Sequence, residues 1–413
     1  MLRPGENIAH GAHLSPASLA GRMRPAPARS GATTMDVEGL LRRILPCEFR
    51  LVPPRSVPPE RRFVVIPGLD GPRWIAPLMW PISAPILRQW SPIDPVSRAK
   101  WRAVVMAYRL GCIERIPGTM VVGLSDIDFS TWHRLGLIPP TAFIPIIYVA
   151  RPSTTRKAIV SLYAPAKRDI DCIVKVALGS HAGQSIAQDF RNLQSLDQLT
   201  PGLAPRPIAM TSDQQAASQQ WVSGKISLHP PARLVESFLA TLWREQSTSL
   251  RDIAQHYRKR FESLPRDELS DPIARIFDSI TCGDRVPSAF YHGDFVSWNM
   301  VCQSRRRCQA IDWEFGEPDG APLMDLFHFF LRFAWTAGEI DSYRMAARLT
   351  LGTHRTLFYA LLDRIGASHR YLQDALALTL VTIYVTRFHQ LCAVERIRPQ
   401  LHAIVTTFGA HRA

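Results

Sequence analysis

Between residues 143 and 178 the chain carries three short runs rich in β-branched and aromatic residues. They are Phe143–Val149 (FIPIIYV), Arg156–Tyr163 (RKAIVSLY) and Asp171–Leu178 (DCIVKVAL). Runs of this length, separated by polar turns, predict strands. The spacing then changes. Gln184–Leu196 sets Ile186, Phe190, Leu193 and Leu196 on one face of a helix, and Gln219–Gly224 reads as an edge strand and turn. After residue 225 helical periodicity dominates. Val235, Phe238, Leu239, Leu242 and Trp243 follow an amphipathic pattern. Ser249-x-x-Asp252 reads as a capping start for a helix through Ile253, Tyr257 and Phe261. Leu326–Trp335 and Tyr343–Leu351 predict two more helices. Leu372–His389 predicts a buried one, since its uncharged core, Ala375–Thr386, falls short of the ~20 residues that span a bilayer. Inside this helical region lies an extended segment, Ser288–Tyr291, and a hairpin of Trp298–Cys302 and Cys308–Trp313 around the polar turn Gln303–Arg307.

Upstream, Met35–Leu45 is amphipathic, Phe63–Pro67 and Arg73–Pro77 read as strands, and Ala99–Leu110 reads as a helix. Residues 1–34 hold Pro, Ala, Gly, Ser and four Arg against one Glu, a composition that buries no core. That stretch is expected to be disordered, or to precede a true start at Met23 or Met35, with a transit peptide as the competing reading. The order of elements predicts an α+β chain with four parts: 1–34; a Trp- and Pro-rich α/β extension at 35–140; a strand-rich lobe at 141–224; and a helical lobe at 225–413.

Composition narrows the class. A 413-residue chain that is 46% hydrophobic has ample core for two lobes and an extension. Seven Cys show neither C-x-x-C pairs nor His at zinc spacing, so they read as reduced thiols in a cytoplasmic protein. The net charge of +14 divides unevenly: +3 over 1–34, +9 over 35–225 (23 basic against 14 acidic residues) and +2 over 226–413 (22 against 20). No nucleic-acid motif accompanies the basic half, so no nucleic-acid partner is expected. Peripheral membrane contact, and a protein partner through 35–140, stay open.

The candidate chemistry lies in the hairpin region. Tyr291-His292-Gly293-Asp294 is followed by Asn299 and then by Ile311-Asp312-Trp313-Glu314. Phosphoryl transfer needs a carboxylate beside the attacking hydroxyl and hard oxygen donors that hold Mg2+ against nucleotide phosphates. Asp294 with Asn299 five residues on and Asp312 eighteen on supplies that set. The hairpin brings Asn299 and Asp312 to the same end.

His-Gly-Asp-x4-Asn with a following Ile-Asp-Trp-Glu resembles the aminoglycoside phosphotransferase and choline kinase-like family, over roughly residues 140–395. The resemblance implies a two-lobed protein-kinase-like fold, with a small antiparallel N-lobe sheet and a mostly helical C-lobe. It implies a small-molecule kinase using Mg2+ and ATP, with GTP left open. Asp294 would be the catalytic base, Asn299 and Asp312 the metal ligands, and His292 and Asp325 structural supports. Lys175 in Ile-Val-Lys-Val would steady the α and β phosphates. Asp189 would pair with it, standing where the family usually has Glu. The turn at 150–155 would cover the phosphates with Ser153 and Thr154, although it contains no Gly. Backbone near Gln220 and Val222 would read the base. The near-neutral helical lobe fits a sugar, polyol or glycan precursor better than a polycationic aminoglycoside. A non-catalytic kinase-like scaffold and an aminoglycoside-type kinase are the alternatives.

Overall fold

A computed structural model describes residues 36–45, 48–68, 70–92, 95–227, 229–304, 306–336 and 355–391. The expectations for residues 1–34 and for a helix at Tyr343–Leu351 lie outside the described residues. Nine strands form one antiparallel sheet: β1 (Arg50–Val52), β2 (Arg62–Gly68), β3 (Gly71–Pro77), β4 (Met120–Ser125), β5 (Ile144–Val149), β6 (Lys157–Ala164), β7 (Asp169–Ala177), β8 (Pro207–Met210) and β9 (Ala216–Gln220). Their order is β1-β4-β2-β3-β5-β6-β7-β9-β8. The three runs read from β-branched patterning are β5, β6 and β7. The extension at 35–140 joins the same sheet, because Trp74 of β3 pairs with Tyr148 of β5 and Ile75 with Ile147. One cross-strand row therefore runs Trp74, Tyr148, Ile159, Lys175, Ala217 and Met210. Cross-strand neighbours share a face, so the extension and Lys175 look out on the same side of the sheet.

Two groups of helices cover that side. The first is α2 (Trp80–Gln89) with α3 (Pro95–Arg109); α1 (Val37–Ile44) and the short α4 (Ser130–Arg134) come before and after them in the chain. Ile82, Ile86 and Leu87 of α2 and Tyr108 of α3 pack with Trp74, Ile146, Tyr163 and Ile170. No helix is legible at α2 from its sequence, because it carries Pro81 and Pro85; the first falls in the opening turn, where a missing N–H is tolerated. Helix α5 (Ala182–Leu199) lies over the other end, with Ile186 and Phe190 against Ala177, Ala217 and Met210. Burial of each such large side chain contributes roughly 1.5–3 kcal/mol.

The helical lobe holds α6 (Ala232–Ala240), α7 (Leu250–Glu262), α8 (Ser270–Ser279), α9 (Met324–Thr336), α10 (Arg355–Ile365) and α11 (His369–Leu391) around one continuous core. Ser249 caps α7, its Oγ accepting from the Asp252 N–H at 3.2 Å. The helix expected to include Trp243 ends at Ala240. Trp243 instead opens β11 (Trp243–Thr248), whose backbone is claimed by β12 (Val286–Tyr291). Tertiary pairing overrides local periodicity there. The β11–β12 pair extends to β15 (Glu317–Gly320), while β10 (Lys225–Ile226), β13 (Met300–Cys302) and β14 (Cys308–Ala310) form the hairpin sheet. Cys302 and Cys308 stand opposite each other as free thiols. Helix α11 is apolar because it is buried: its Asp374 accepts from the backbone N–H groups of Thr281 and Cys282 at 2.9 and 2.7 Å. No helix among the described residues is long and apolar enough to cross a membrane.

Candidate active site

The loop after β12 is built to hold Asp294 still. Gly293 takes φ 73°, and a Cβ there would strike the Phe315 carbonyl, so only Gly fits between His292 and Asp294. Asp325, at the start of α9, accepts from the backbone N–H groups of His292 at 2.7 Å and Gly293 at 3.2 Å. Burial pushes the Asp325 carboxyl up to about 7, even though both N–H groups favour its charged form. The His292 ring bridges outward. Its Nδ1 accepts from the Asp294 N–H at 3.2 Å, which leaves Nε2–H to donate to the Ile311 carbonyl at 3.1 Å. Nδ1 accepts, so the ring is neutral, and burial lowers its pKa; it braces the Asp294 loop against the segment of Ile311 and Asp312.

Asp294 faces three nitrogenous side chains from the helical lobe. Arg387 Nη2 of α11 lies 2.6 Å from Oδ1, His328 Nε2 at 3.8 Å and Arg332 Nε, also of α9, at 4.0 Å. Burial opposes the charge, but Arg387 and then Arg332 hold the carboxyl below the usual range. Asn299 closes a short 3-10 turn, and its Nδ2 donates to the Asp294 carbonyl at 3.0 Å. That leaves the Asn299 amide oxygen as a potential ligand. The Ile311 N–H bonds the Asn299 carbonyl at 2.9 Å, so the hairpin brings Asn299 beside the Asp312 segment.

Asp312 sits at φ 69°, a conformation few non-Gly residues adopt. Its Oδ1 lies 2.6 Å from Lys157 Nζ and 3.4 Å from Lys175 Nζ. Burial alone would raise its pKa, but Lys157 and Lys175 hold it well below the usual carboxylate range. Lys175 is buried and pairs with buried Asp189 at 2.6 Å. The other Asp189 oxygen accepts from the Trp313 N–H at 2.7 Å. One carboxylate therefore ties β7, α5 and the Asp312 segment together. Asp is short for this task, and the small Ala177 and Ala217 beneath Ile186 and Phe190 let α5 approach. Asn192 reinforces the join, donating to the Trp313 and Gly316 carbonyls at 2.7 and 2.8 Å.

The turn at 150–156 folds onto the β7–α5 connection. A Cβ on Gly179 would overlap the Thr154 carbonyl, so Gly179 lets the turn pack closely on the β7–α5 connection. The Thr154 carbonyl accepts from the His181 N–H at 2.8 Å, and the Ser153 carbonyl from the Arg156 N–H at 3.1 Å. Thr154 Oγ1 is buried without a hydrogen-bond partner among the described residues. A cleft of about 950 Å3 opens between this turn, α5, α7 and residues 314–319, lined by Thr154, Thr155, Ser185 and Glu314 among others.

The segment expected to read a base is arranged differently. The Gln220 N–H bonds the Arg206 carbonyl at 2.8 Å, and the Val222 carbonyl accepts from Gln89 Nε2 of α2 at 2.8 Å. Trp221 packs against the core cluster that holds Trp74 and the α2 and α3 side chains. Two backbone groups expected to read a base are thus engaged within the chain, one of them by the extension.

Lys157, Glu314, Arg387 and Gln89 were not among the expected site residues. Lys157 was detectable in principle, because it alternates with Ile159, which pairs with Lys175. Glu314 lies two residues past Asp312. Arg387 and Gln89 reach the site only through tertiary packing, and nothing local marks them.

The donor set fits Mg2+. Asp312 and the Asn299 amide oxygen are hard oxygen ligands, and such ions take one or two from protein with phosphate and water supplying the rest. Among the described residues no group of three or more His, Cys, Asp or Glu is placed to hold a metal by itself, so phosphate would have to complete the shell.

No protein-family model matches the chain, and no curated protein matches it in sequence. Solved structures do resemble it. A Ralstonia eutropha protein provisionally described as an aminoglycoside phosphotransferase is 13% identical, with 68% of this chain and 97% of that one covered at a TM-score of 0.45. Choline kinase from Streptococcus pneumoniae is 14% identical, with 67% and 97% covered and a TM-score of 0.41. Macrolide 2'-phosphotransferase from Brachybacterium faecium is 13% identical, with 67% and 96% covered and a TM-score of 0.42.

Proposed function

We propose that this protein is a Mg2+-dependent phosphotransferase that moves the γ-phosphoryl group of ATP or GTP to a hydroxyl of a small molecule. The observation that carries this reading is the single cluster in which Lys175, paired with Asp189, lies 3.4 Å from Asp312, one hairpin away from Asp294 and Asn299. Lys175 would bear on the nucleotide phosphates. Asn299 and Asp312 would hold Mg2+, which when bound neutralises charge on those phosphates. Asp294 orients the acceptor hydroxyl and takes its proton. The hydroxyl oxygen forms the new bond to phosphorus while the bond to the departing diphosphate breaks. Catalysis of this kind rests on positioning and on charge already in place.

The acceptor fits a sugar, polyol or glycan precursor. Arg387 already sits on Asp294, and the helical lobe is near neutral, so a polycationic acceptor finds little to attract it. A non-catalytic kinase-like scaffold is the second reading, favoured by the engaged backbone of Gln220 and Val222.

The test is turnover of ATP and GTP with Mg2+ over a panel of hydroxyl acceptors, sugars first. Asp294→Ala should lower turnover about 10²–10⁴-fold, the usual worth of a positioned acid–base group, with nucleotide binding kept. Undiminished turnover in Asp294→Ala would sink the reading.

A further inference from the structure

Lys157 is the second ammonium group at Asp312, and the proposed reaction gives it no task. It is the first residue of β6, directly after the turn at 150–156. It lies on the same sheet face as Lys175, since Ile159, two residues along, pairs with Lys175. Its ammonium lies 2.6 Å from Asp312 Oδ1 and 3.1 Å from Glu314 Oε2, and its side chain is only 12% exposed. Ser185 Oγ also donates to Glu314, which fixes that carboxylate from the α5 side. Burial opposes the charge on Lys157, yet the two carboxylates hold its pKa above the ordinary lysine value.

Counted as charges, two ammonium groups here face the three carboxylates Asp189, Asp312 and Glu314. Asp312 Oδ1 is shared by both lysines. A divalent ion arriving alone would meet those two ammonium groups at close range, where repulsion in a poorly solvated site is strong. A polyphosphate changes the balance, because its oxygens can take over an ammonium group and leave Asp312 to the metal. Lys157 is placed for that transfer: its partner Glu314 lines the cleft, together with Ser185 and Thr154, whose hydroxyl is buried without a hydrogen-bond partner among the described residues.

We propose that Lys157 is a second phosphate-binding lysine, resting on Asp312 and Glu314 as a resident cation until a polyphosphate draws it off, so that metal binds only together with phosphate. This rests on the phosphotransferase reading above. It assigns Lys157 to the phosphates and makes the metal site conditional on them.

The experiment follows melting temperature with Mn2+ alone, inorganic tripolyphosphate alone, and both together. Tripolyphosphate has no base, so the state of the backbone at Gln220 and Val222 does not enter. Wild-type protein should respond to the pair and not to Mn2+ alone. Lys157→Met should bind tripolyphosphate with Mn2+ about 10- to 100-fold more weakly, the worth of one charge-assisted hydrogen bond. It should also gain a response to Mn2+ alone, as Asp312 and Glu314 lose their cation. Wild-type-like tripolyphosphate binding in Lys157→Met, or no response of that variant to Mn2+ alone, overturns the proposal. If Lys157→Met does not fold, the wild type still decides: a shift with Mn2+ alone as large as with both overturns it, and a shift only with both upholds it. The phosphotransferase reading fails separately, if wild-type protein responds to no combination of metal with tripolyphosphate, ATP or GTP.

Discussion

The two regions expected to meet a nucleotide, a phosphate end and a base end, are built on opposite plans. At the phosphate end the groups are side chains, buried or half-buried, charged and mutually paired: Lys157 and Lys175 against Asp189, Asp312 and Glu314. At the base end the working groups are backbone, and the chain itself already uses them, through Arg206 and Gln89. A buried charge without a partner is costly, so the phosphate end holds its shape by pairing its own cations with its own anions. A backbone carbonyl is neutral, and one amide from α2 satisfies it. The first end is therefore poised by electrostatics and the second is covered by packing.

The sharpest way to break the comparison is at Asp189. Asp189→Ala leaves Lys175 buried without its partner and the Trp313 N–H without its acceptor. A loss of about 3–5 kcal/mol is expected, as for removal of one partner from a buried pair. Chemical denaturation measures it, and a loss under 1 kcal/mol would mean that Asp312 alone satisfies Lys175. The base end should respond more gently. Gln89→Ala removes one neutral hydrogen bond and should cost roughly 0.5–1.5 kcal/mol of stability. It also frees the Val222 carbonyl. If a base seats there, the preference for ATP over tripolyphosphate, each with Mg2+, should widen about fivefold, the equivalent of ~1 kcal/mol. An unchanged preference would place the base away from Val222.

The same contrast explains what could be read from the sequence. Asp294, Asn299, Asp312 and Lys175 are legible because their spacing along the chain is itself the chemical signal, and the structure brings them to one place. The β5–β7 strands are legible from short β-branched runs between polar turns. Helix α2 is not, because Pro81 and Pro85 disguise it. Trp243 reads as helical because Val235, Phe238, Leu239 and Leu242 precede it in phase, and only the distant β12 claims it for a sheet. The turn at 150–155 contains no Gly, and its close packing on the β7–α5 connection depends on Gly179, 24 or more residues along the chain. Arg387 is 93 residues from Asp294 and reaches it on a buried helix whose apolar sequence gives no hint of a site. Groups that act through their position in the chain were visible, and groups that act through packing were not.

The most direct measurement is nucleotide binding by thermal shift, with ATP and GTP, each with and without Mg2+, on wild-type protein and Asp312→Ala. A ligand that binds only the folded state stabilises it by about 2.7 kcal/mol at a hundredfold excess over its Kd. The expected result is a Mg2+-dependent rise in melting temperature that Asp312→Ala abolishes. No rise at millimolar nucleotide, or an equal rise in Asp312→Ala, would contradict a metal–phosphate site at this cluster and leave the scaffold reading in its place.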